Sequence, residues 1–204
     1  MIKILKKNQK KNQLIFFKST LGSLNIFNIH EKIRIPKNIT IILKKNQLIL
    51  NGPLGSINLN IMNSLNYFIK NNIILLSFND LHLKRKKKSF LNLYKSLIKL
   101  KIKGILQGFK LNLFLKGLGF KAFIEQNNLI LKLGYSHSIS IKIPENIKII
   151  NQTNKLIFSS SDWVFLTKYV HYIKSFKKPE PYKGKGLLLK NEIIILKEGK
   201  KSKK

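Results

Sequence analysis

Between residues 33 and 78 the apolar positions come in short runs, over 39–43, 47–51 and 56–61, broken by Lys-Lys-Asn, Gly-Pro-Leu-Gly and Asn-Asn. Runs of that length, bounded by residues that accept tight turns, predict antiparallel strands. The apolar stretch 72–78 also fits a strand better than a membrane span. After the basic run Lys84-Arg85-Lys86-Lys87-Lys88 the period changes. Phe90, Leu93, Tyr94, Leu97 and Ile98 recur at helical spacing, while Lys88, Asn92, Lys95, Lys99 and Lys103 share the opposite face. This predicts an amphipathic helix with one basic stripe. Lysines at a helix N-terminus oppose the macrodipole at roughly 0.3–1 kcal/mol each, so something other than helix stability keeps them there.

Beyond Gly104 the strand pattern resumes over 111–115, 120–124, 129–133, 138–143, 147–150 and 155–158. Asp162 then has the chemistry of an N-cap, opening a second helix. Its apolar face is Trp163, Leu166, Val170 and Ile173, with Tyr169 and Phe176 beside it and Lys168, His171 and Lys174 opposite. Shifting the chain by 82 aligns residues 46–80 with 128–162 without a gap over 35 positions, eight of them identical, including Gly52 with Gly134 and Asp80 with Asp162. A shorter match, 35–52 against 143–160, has nine identities in 18 but does not carry the order of elements into a helix. The longer match makes each half a strand set followed by a helix, a consistency that chance does not supply. The expected fold is α+β, with two tandem similar domains, each a small antiparallel sheet packed on one main helix. Residues 1–27 read as a basic N-terminal extension, 28–105 as the first domain and 106–204 as the second, with a basic C-terminal arm.

Charge narrows the function. The 204 residues hold 40 Lys and Arg against eight Asp and Glu, for a formal +32, and the excess runs along the whole chain. So basic a chain repels itself unless a polyanion neutralises it, and the even spread favours nucleic acid over a membrane patch. No stretch of 18 uninterrupted apolar residues occurs. The absence of cysteine excludes a disulfide framework, a thiolate zinc site and a cysteine nucleophile. Lys, Ile and Asn supply 92 residues, against one alanine, Ala122, and two arginines, Arg34 and Arg85. That skew points to an AT-rich gene of the kind found in organelles. A mitochondrion is the expected setting, with a plastid-type organelle or an AT-rich bacterium as alternatives.

Candidate chemistry is sparse. Gly117, Gly119 and Ala122 satisfy a dinucleotide-binding G-x-G-x-x-A, but no helix follows to hold a pyrophosphate, so a hairpin with close backbones is expected. Gly52-Pro53-Leu54-Gly55 imitates a nucleotide clamp but joins two strands, as a plain turn does. The four histidines lack metal-ligand spacing and the acids form no pair suited to acid–base work. Neither an enzyme, nor a cofactor, nor a small-molecule substrate is indicated. The informative segment is Lys177-Lys178-Pro179-Glu180-Pro181-Tyr182-Lys183-Gly184-Lys185-Gly186. Its prolines stiffen an extended path, its glycines permit close backbone approach, and Tyr182 offers a surface among cations.

That segment resembles the C-terminal signature of the universal large-subunit ribosomal protein L6 family. Gly108-Phe109, Leu113, Leu115, Gly117, Gly119, Phe120, Lys121, Ala122, Gly134-Tyr135-Ser136-His137 and an Ile33-Arg34-Ile35-Pro36 start match as well. The resemblance implies two tandem copies of one α+β domain. It further implies binding to large-subunit rRNA near the sarcin-ricin loop, beside neighbouring large-subunit ribosomal proteins and the landing site of translational GTPases, with no membrane. A-form RNA hides its major groove, so phosphates, 2′-hydroxyls and shape are the expected targets. The expected contacts are Lys177, Lys178, Tyr182, Lys183, Gly184, Lys185 and Gly186, with Lys88, Lys95 and Lys99 on the helix. Leu187, Leu188 and Leu189 replace the family's usual residues, and Ser138 a usual proline. A basic DNA-compacting architectural protein is the alternative from another class. It calls for wedge residues on a β-arm, and nothing after Gly186 resembles one.

Overall fold

The computed structural model describes residues 31–44, 47–62, 65–70, 72–78 and 87–199. The N-terminal extension and most of the basic run 84–88 lie outside them. The chain divides into two compact units: Met1–Gly52 with Asn58–Lys99, and Pro53–Ile57 with Leu100–Lys204.

The strands before the long helix are β1 (Glu31–Arg34), β2 (Thr40–Lys44), β3 (Gln47–Gly52), β4 (Gly55–Asn60), β5 (Leu65–Lys70) and β6 (Ile73–Phe78). They form two antiparallel three-stranded sheets, ordered β1-β6-β5 and β2-β3-β4. Alternation decides the buried faces. Leu48 and Leu50 of β3, and Ile74 and Leu76 of β6, are fully buried, while Ile49 and Leu75 between them, on the opposite faces, are only partly covered. The helix α1 (Lys87–Gln107) buries Leu91, Tyr94, Ile98, Ile102 and Ile105. Leu93, expected on that apolar face, is 51% exposed instead.

The second set is β7 (Phe109–Lys116), β8 (Lys121–Glu125), β9 (Asn128–Lys132), β10 (Ile139–Lys142), β11 (Lys148–Gln152) and β12 (Lys155–Ser160), then α2 (Trp163–Ser175) and β13 (Gly186–Leu189). Its sheets are ordered β11-β12-β7-β13 and β10-β9-β8. Leu113, Leu115, Leu129, Leu131, Leu156 and Phe158 meet Leu166, Val170 and Ile173 of α2 in one core. At about 25 cal/mol per Å² of apolar surface, that burial is the main source of stability. Tyr169 stacks edge-on to Phe158 and donates its hydroxyl to the Lys142 carbonyl at 3.1 Å. Asn151 donates to the Ala122 carbonyl at 2.6 Å, tying one sheet to the other. Asp162 caps α2 as expected, its carboxylate accepting from the Val164 N–H at 3.0 Å.

The sheet order of the second set repeats that of the first, with β13 added. Under the shift of 82, β6 (Ile73–Phe78) lands on β12 (Lys155–Ser160) residue for residue. The shorter match has a local cause. In Ile35-Pro36-Lys37-Asn38-Ile39 and Ile143-Pro144-Glu145-Asn146-Ile147 the last N–H donates to the proline carbonyl, at 3.2 and 3.0 Å. The same turn serves two different connections.

The α+β class and the tandem repeat stand. Three expectations need correcting. Each set has two small sheets rather than one, because β2 and β8 leave the sheets of β1 and β7. The Gly117–Ala122 region is therefore a crossing between sheets, not a hairpin. β13 falls in the stretch read as a basic C-terminal arm, yet it is a sheet strand, paired with β7 from Gly186↔Lys116 to Leu189↔Leu113.

Candidate nucleic-acid interface

The signature segment starts where α2 ends. The Phe176 and Lys177 N–H groups still bond back to Ile173 and Lys174, and the chain then turns out at Lys178. From there it closes on itself. The Glu180 N–H donates to the Lys185 carbonyl at 2.8 Å, and the Gly184 N–H donates to the Glu180 carbonyl at 2.9 Å. The Leu187 N–H reaches the Lys177 carbonyl at 2.9 Å, fixing the base of the loop. Both glycines are required. Gly184 lies at φ +64°, and Gly186, at φ +147°, passes so near that a Cβ would come within 2.6 Å of the Pro179 Cα. The expected extended path is thus a closed loop, because backbone hydrogen bonds across the prolines outweigh their stiffness.

The loop holds Tyr182 and Lys183 at its exposed tip and Lys178 exposed at its base, with Lys177 and Lys185 partly covered. Beside it, the Lys177 ammonium sits 4.4 Å from the centroid of the Tyr135 ring, whose hydroxyl donates to the Phe176 carbonyl at 2.8 Å. A cleft of about 480 Å³ opens there, lined by Phe120, Tyr135, Phe176, Lys177, Lys178 and Lys185 among others. Three aromatic rings and three lysines, against the one carboxylate of Glu180, suit a polyanion that carries bases. Leu187 lies in the core beneath with Leu189 packed against it, and Leu188, on the other face of β13, is buried as well, so the three leucines serve packing rather than contact.

Seven of the ten expected contact residues come together here, from Lys177 to Gly186. The other three lie on α1: Lys88 and Lys99 are exposed, whereas the Lys95 ammonium is bound to the Glu31 carboxylate. Sequence reasoning missed Lys116 and Tyr135 as neighbours of the loop. Lys116 faces Gly186 across the β7–β13 pairing, and its Nζ lies 3.6 Å from where a Gly184 Cβ would sit. Only that pairing brings it near, and nothing local signals the pairing.

Other cations are spent internally. Lys101, nearly buried, bonds to Asp162 at 3.0 Å, and Lys174 bonds to Glu192. Burial alone would raise the Glu192 carboxyl. Hydrogen bonds from Lys174 and the Leu189 N–H, with the charges of Lys174 and His171, hold it below the ordinary carboxylate range. Among the described residues, no group of His, Cys, Asp and Glu is arranged to hold a metal, and no helix is long and apolar enough to cross a membrane.

Comparison with known proteins decides the family. The model for "Ribosomal protein L6" matches residues 116–188, from the last residue of β7 through the closed loop into β13. A large ribosomal subunit protein uL6 of Karelsulcia muelleri is 39% identical over 176 residues, covering 84% of this chain and 96% of that protein. The chain belongs to the uL6 family of ribosomal proteins. Family relatives include uL6m of Reclinomonas americana, 35% identical over 84% of this chain and 96% of its own length. The uL6c of Phaeodactylum tricornutum is 34% identical with the same coverage. All three are named as ribosomal proteins rather than enzymes. The signature segment and the tandem halves therefore belong to the family pattern.

Proposed function

We propose that this chain is a structural constituent of the large ribosomal subunit that grips rRNA phosphates through the closed loop after α2. The exposed face of α1 serves as a secondary contact. The observation that carries the reading is the loop's presentation of Tyr182 and Lys183 at a tip fixed by its own backbone bonds, next to Lys177, Lys178 and Lys185. Cations on a pre-folded loop lose little entropy on meeting a phosphate backbone, and Tyr182 supplies a surface on which an unpaired base can stack. The +32 charge provides the sequence-independent part of the affinity.

We propose further that the contact lies near the sarcin-ricin loop and the docking site of translational GTPases, as the family resemblance implies, and that the ribosome is mitochondrial, a reading supported by the Lys, Ile and Asn skew of an AT-rich gene. The chemistry there is preorganisation. A protein holding RNA helices through many phosphate contacts fixes a neighbouring loop in the geometry a GTPase needs, without itself moving a proton.

Backbone footprinting on the chain's own large-subunit rRNA tests the position. Protection is expected in and around the sarcin-ricin loop, and protection confined elsewhere would overturn it. Subunits depleted of the protein are expected to lose factor-stimulated GTP hydrolysis while still forming a peptide bond with a minimal aminoacyl fragment. The opposite pattern would reject the GTPase-site role. Import or in-organelle synthesis followed by fractionation on mitochondrial ribosomes tests the setting.

A further inference from the structure

The segment after β13 does not trail away from the loop. Glu192 folds it back: its backbone N–H donates to the Leu189 carbonyl at 3.1 Å, and its carboxylate accepts from the Leu189 N–H at 3.2 Å while meeting the Lys174 ammonium on α2. The chain then runs beside the signature loop. The Lys197 N–H donates to the Pro181 carbonyl at 2.9 Å, between the two prolines' end of the loop and its tip. Ile194 and Leu196 lie over Gly184, their Cδ atoms 3.8 and 3.5 Å from where a Cβ would be. Ile194 is half-buried and Leu196 is 59% exposed, whereas Ile193 and Ile195, which alternate with them, are 90% and 85% exposed.

We propose that residues 192–197 are a clasp that holds the 180–186 loop in its closed form, with Glu192, Ile194 and Leu196 acting as positioning residues for Lys183 and Lys185. The loop's two internal bonds close only a few residues, and its tip is solvated. A second strand of chain on its outer side, anchored at one end to α2 through Lys174 and at the other to Pro181, restricts the opening that would separate Gly184 from Glu180. The left-handed Gly184 gives the clasp its seat: a side chain there would be strained in backbone, and Leu196 and Ile194 already lie at contact distance from the place its Cβ would take. The affinity part of this inference rests on the RNA-binding reading above; the conformational part does not.

The test uses the full chain and two neutral double substitutions that leave net charge unchanged: Ile194→Ser with Leu196→Ser, and as control Ile193→Ser with Ile195→Ser. Amide hydrogen exchange at Gly184 and Lys185, with tryptic cleavage after Lys183, reads the loop directly. Both are expected to accelerate at least several-fold in the first variant while exchange in β7 and α2 stays unchanged, and the control is expected to match the wild type. Equal loop protection in the two variants would overturn the clasp. Glu192→Gln, which keeps an acceptor but drops the charge that Lys174 holds, is expected to give an intermediate acceleration; no change would remove Glu192 from the device. RNA affinity is then read in a double-mutant cycle with Lys183→Ala and Lys185→Ala. The clasp variant is expected to weaken binding and to flatten the dependence of log affinity on log salt by about one to two units, as if phosphate contacts were lost. Little further loss is expected on the lysine-free background, and fully additive losses would overturn action through those lysines. If removing the two lysines leaves affinity unchanged, the RNA-binding reading fails, while exchange and proteolysis still decide the clasp.

Discussion

The ammonium of Lys177 rests 4.4 Å from the centre of the Tyr135 ring, and the hydroxyl of that ring is held by the Phe176 carbonyl. One side chain therefore both fastens the end of α2 and holds a cation beside the cleft that the two residues line. Tyr135→Phe removes the hydroxyl alone and should cost roughly 0.5–1.5 kcal/mol of stability. Tyr135→Leu also removes the quadrupole, roughly 0.5–1 kcal/mol more at an exposed site. Urea unfolding of the three proteins should rank wild type, Phe and Leu in that order. A Leu variant as stable as the Phe variant would show that the cation–ring contact contributes nothing.

Lys101 and Asp162 form a lopsided pair, with the lysine buried in α1 and the aspartate at the partly open start of α2. Lys101→Met replaces a buried ion by an apolar chain of similar length and should change stability little. Asp162→Ala should be far worse, since it leaves the ammonium buried without its partner, at about 3–5 kcal/mol, and removes a cap worth about 1 kcal/mol. Thermal unfolding checks the asymmetry. Equal losses would contradict it.

Gly104 and Gly186 are sites where no side chain fits. A Cβ at Gly104 would overlap the Ser161 carbonyl oxygen, 1.9 Å away, and one at Gly186 would strike the backbone of Lys178 and Pro179. Backbone cannot step aside as a flexible side chain does, so each alanine substitution should cost about 1–3 kcal/mol or more. Gly119→Ala is the comparison: nothing lies within 4 Å, and only its φ of +74° opposes the substitution. It should cost about 1 kcal/mol. Chemical denaturation of all three would reveal whether close approach or backbone sign dominates.

Much of this was legible. The alternating runs located the strands of the second half to within a few residues, Asp162 announced its helix, and the 82-residue shift anticipated the register of β6 on β12. What stayed hidden depends on partners distant in sequence. Lysine normally reads as solvated, and Lys101 is buried only because a carboxylate 61 positions away meets it. Gly186–Leu189 is too short to show alternation, and its partner strand ends 70 positions earlier, at Lys116 across from Gly186. Leu91 and Leu93 lie on either side of a stripe so rich in apolar residues that spacing alone could not choose between them. The closed loop escaped notice because its bonds are between backbone groups.

Burial pushes the Tyr169 phenol up to about 12, helped by the neighbouring Tyr172, against an ordinary value of 10.0. Because the folded state holds this proton more tightly than the unfolded chain, the associated stabilisation is complete below about pH 10 and is lost as pH rises toward 12. Absorbance of the phenolate should show one late-titrating tyrosine, appearing together with unfolding of the second set. Tyr169→Phe should abolish that component and also remove the bond to Lys142. A tyrosine that ionised near 10 with the fold intact would contradict the burial argument.

The lysines of α1 should not contribute equally to RNA binding. Lys88 and Lys99 are exposed, whereas Lys95, on the same face, already meets the Glu31 carboxylate, with both side chains partly buried. A cation must break that pair before it can neutralise a phosphate, and the released carboxylate would then repel the same RNA. Each phosphate contact contributes about 0.7–0.9 to the slope of log affinity against log salt, so Lys88→Gln and Lys99→Gln should each flatten the slope by nearly one unit. Lys95→Gln should leave the slope almost unchanged and instead cost at most about 1 kcal/mol of stability, the worth of a partly exposed ion pair. Glu31→Gln sharpens the contrast: freeing Lys95 should steepen the slope, an effect absent in the Lys95→Gln, Glu31→Gln double variant. Equal flattening by all three lysine substitutions would mean that the pair opens on binding and that the helix meets RNA along its whole basic stripe.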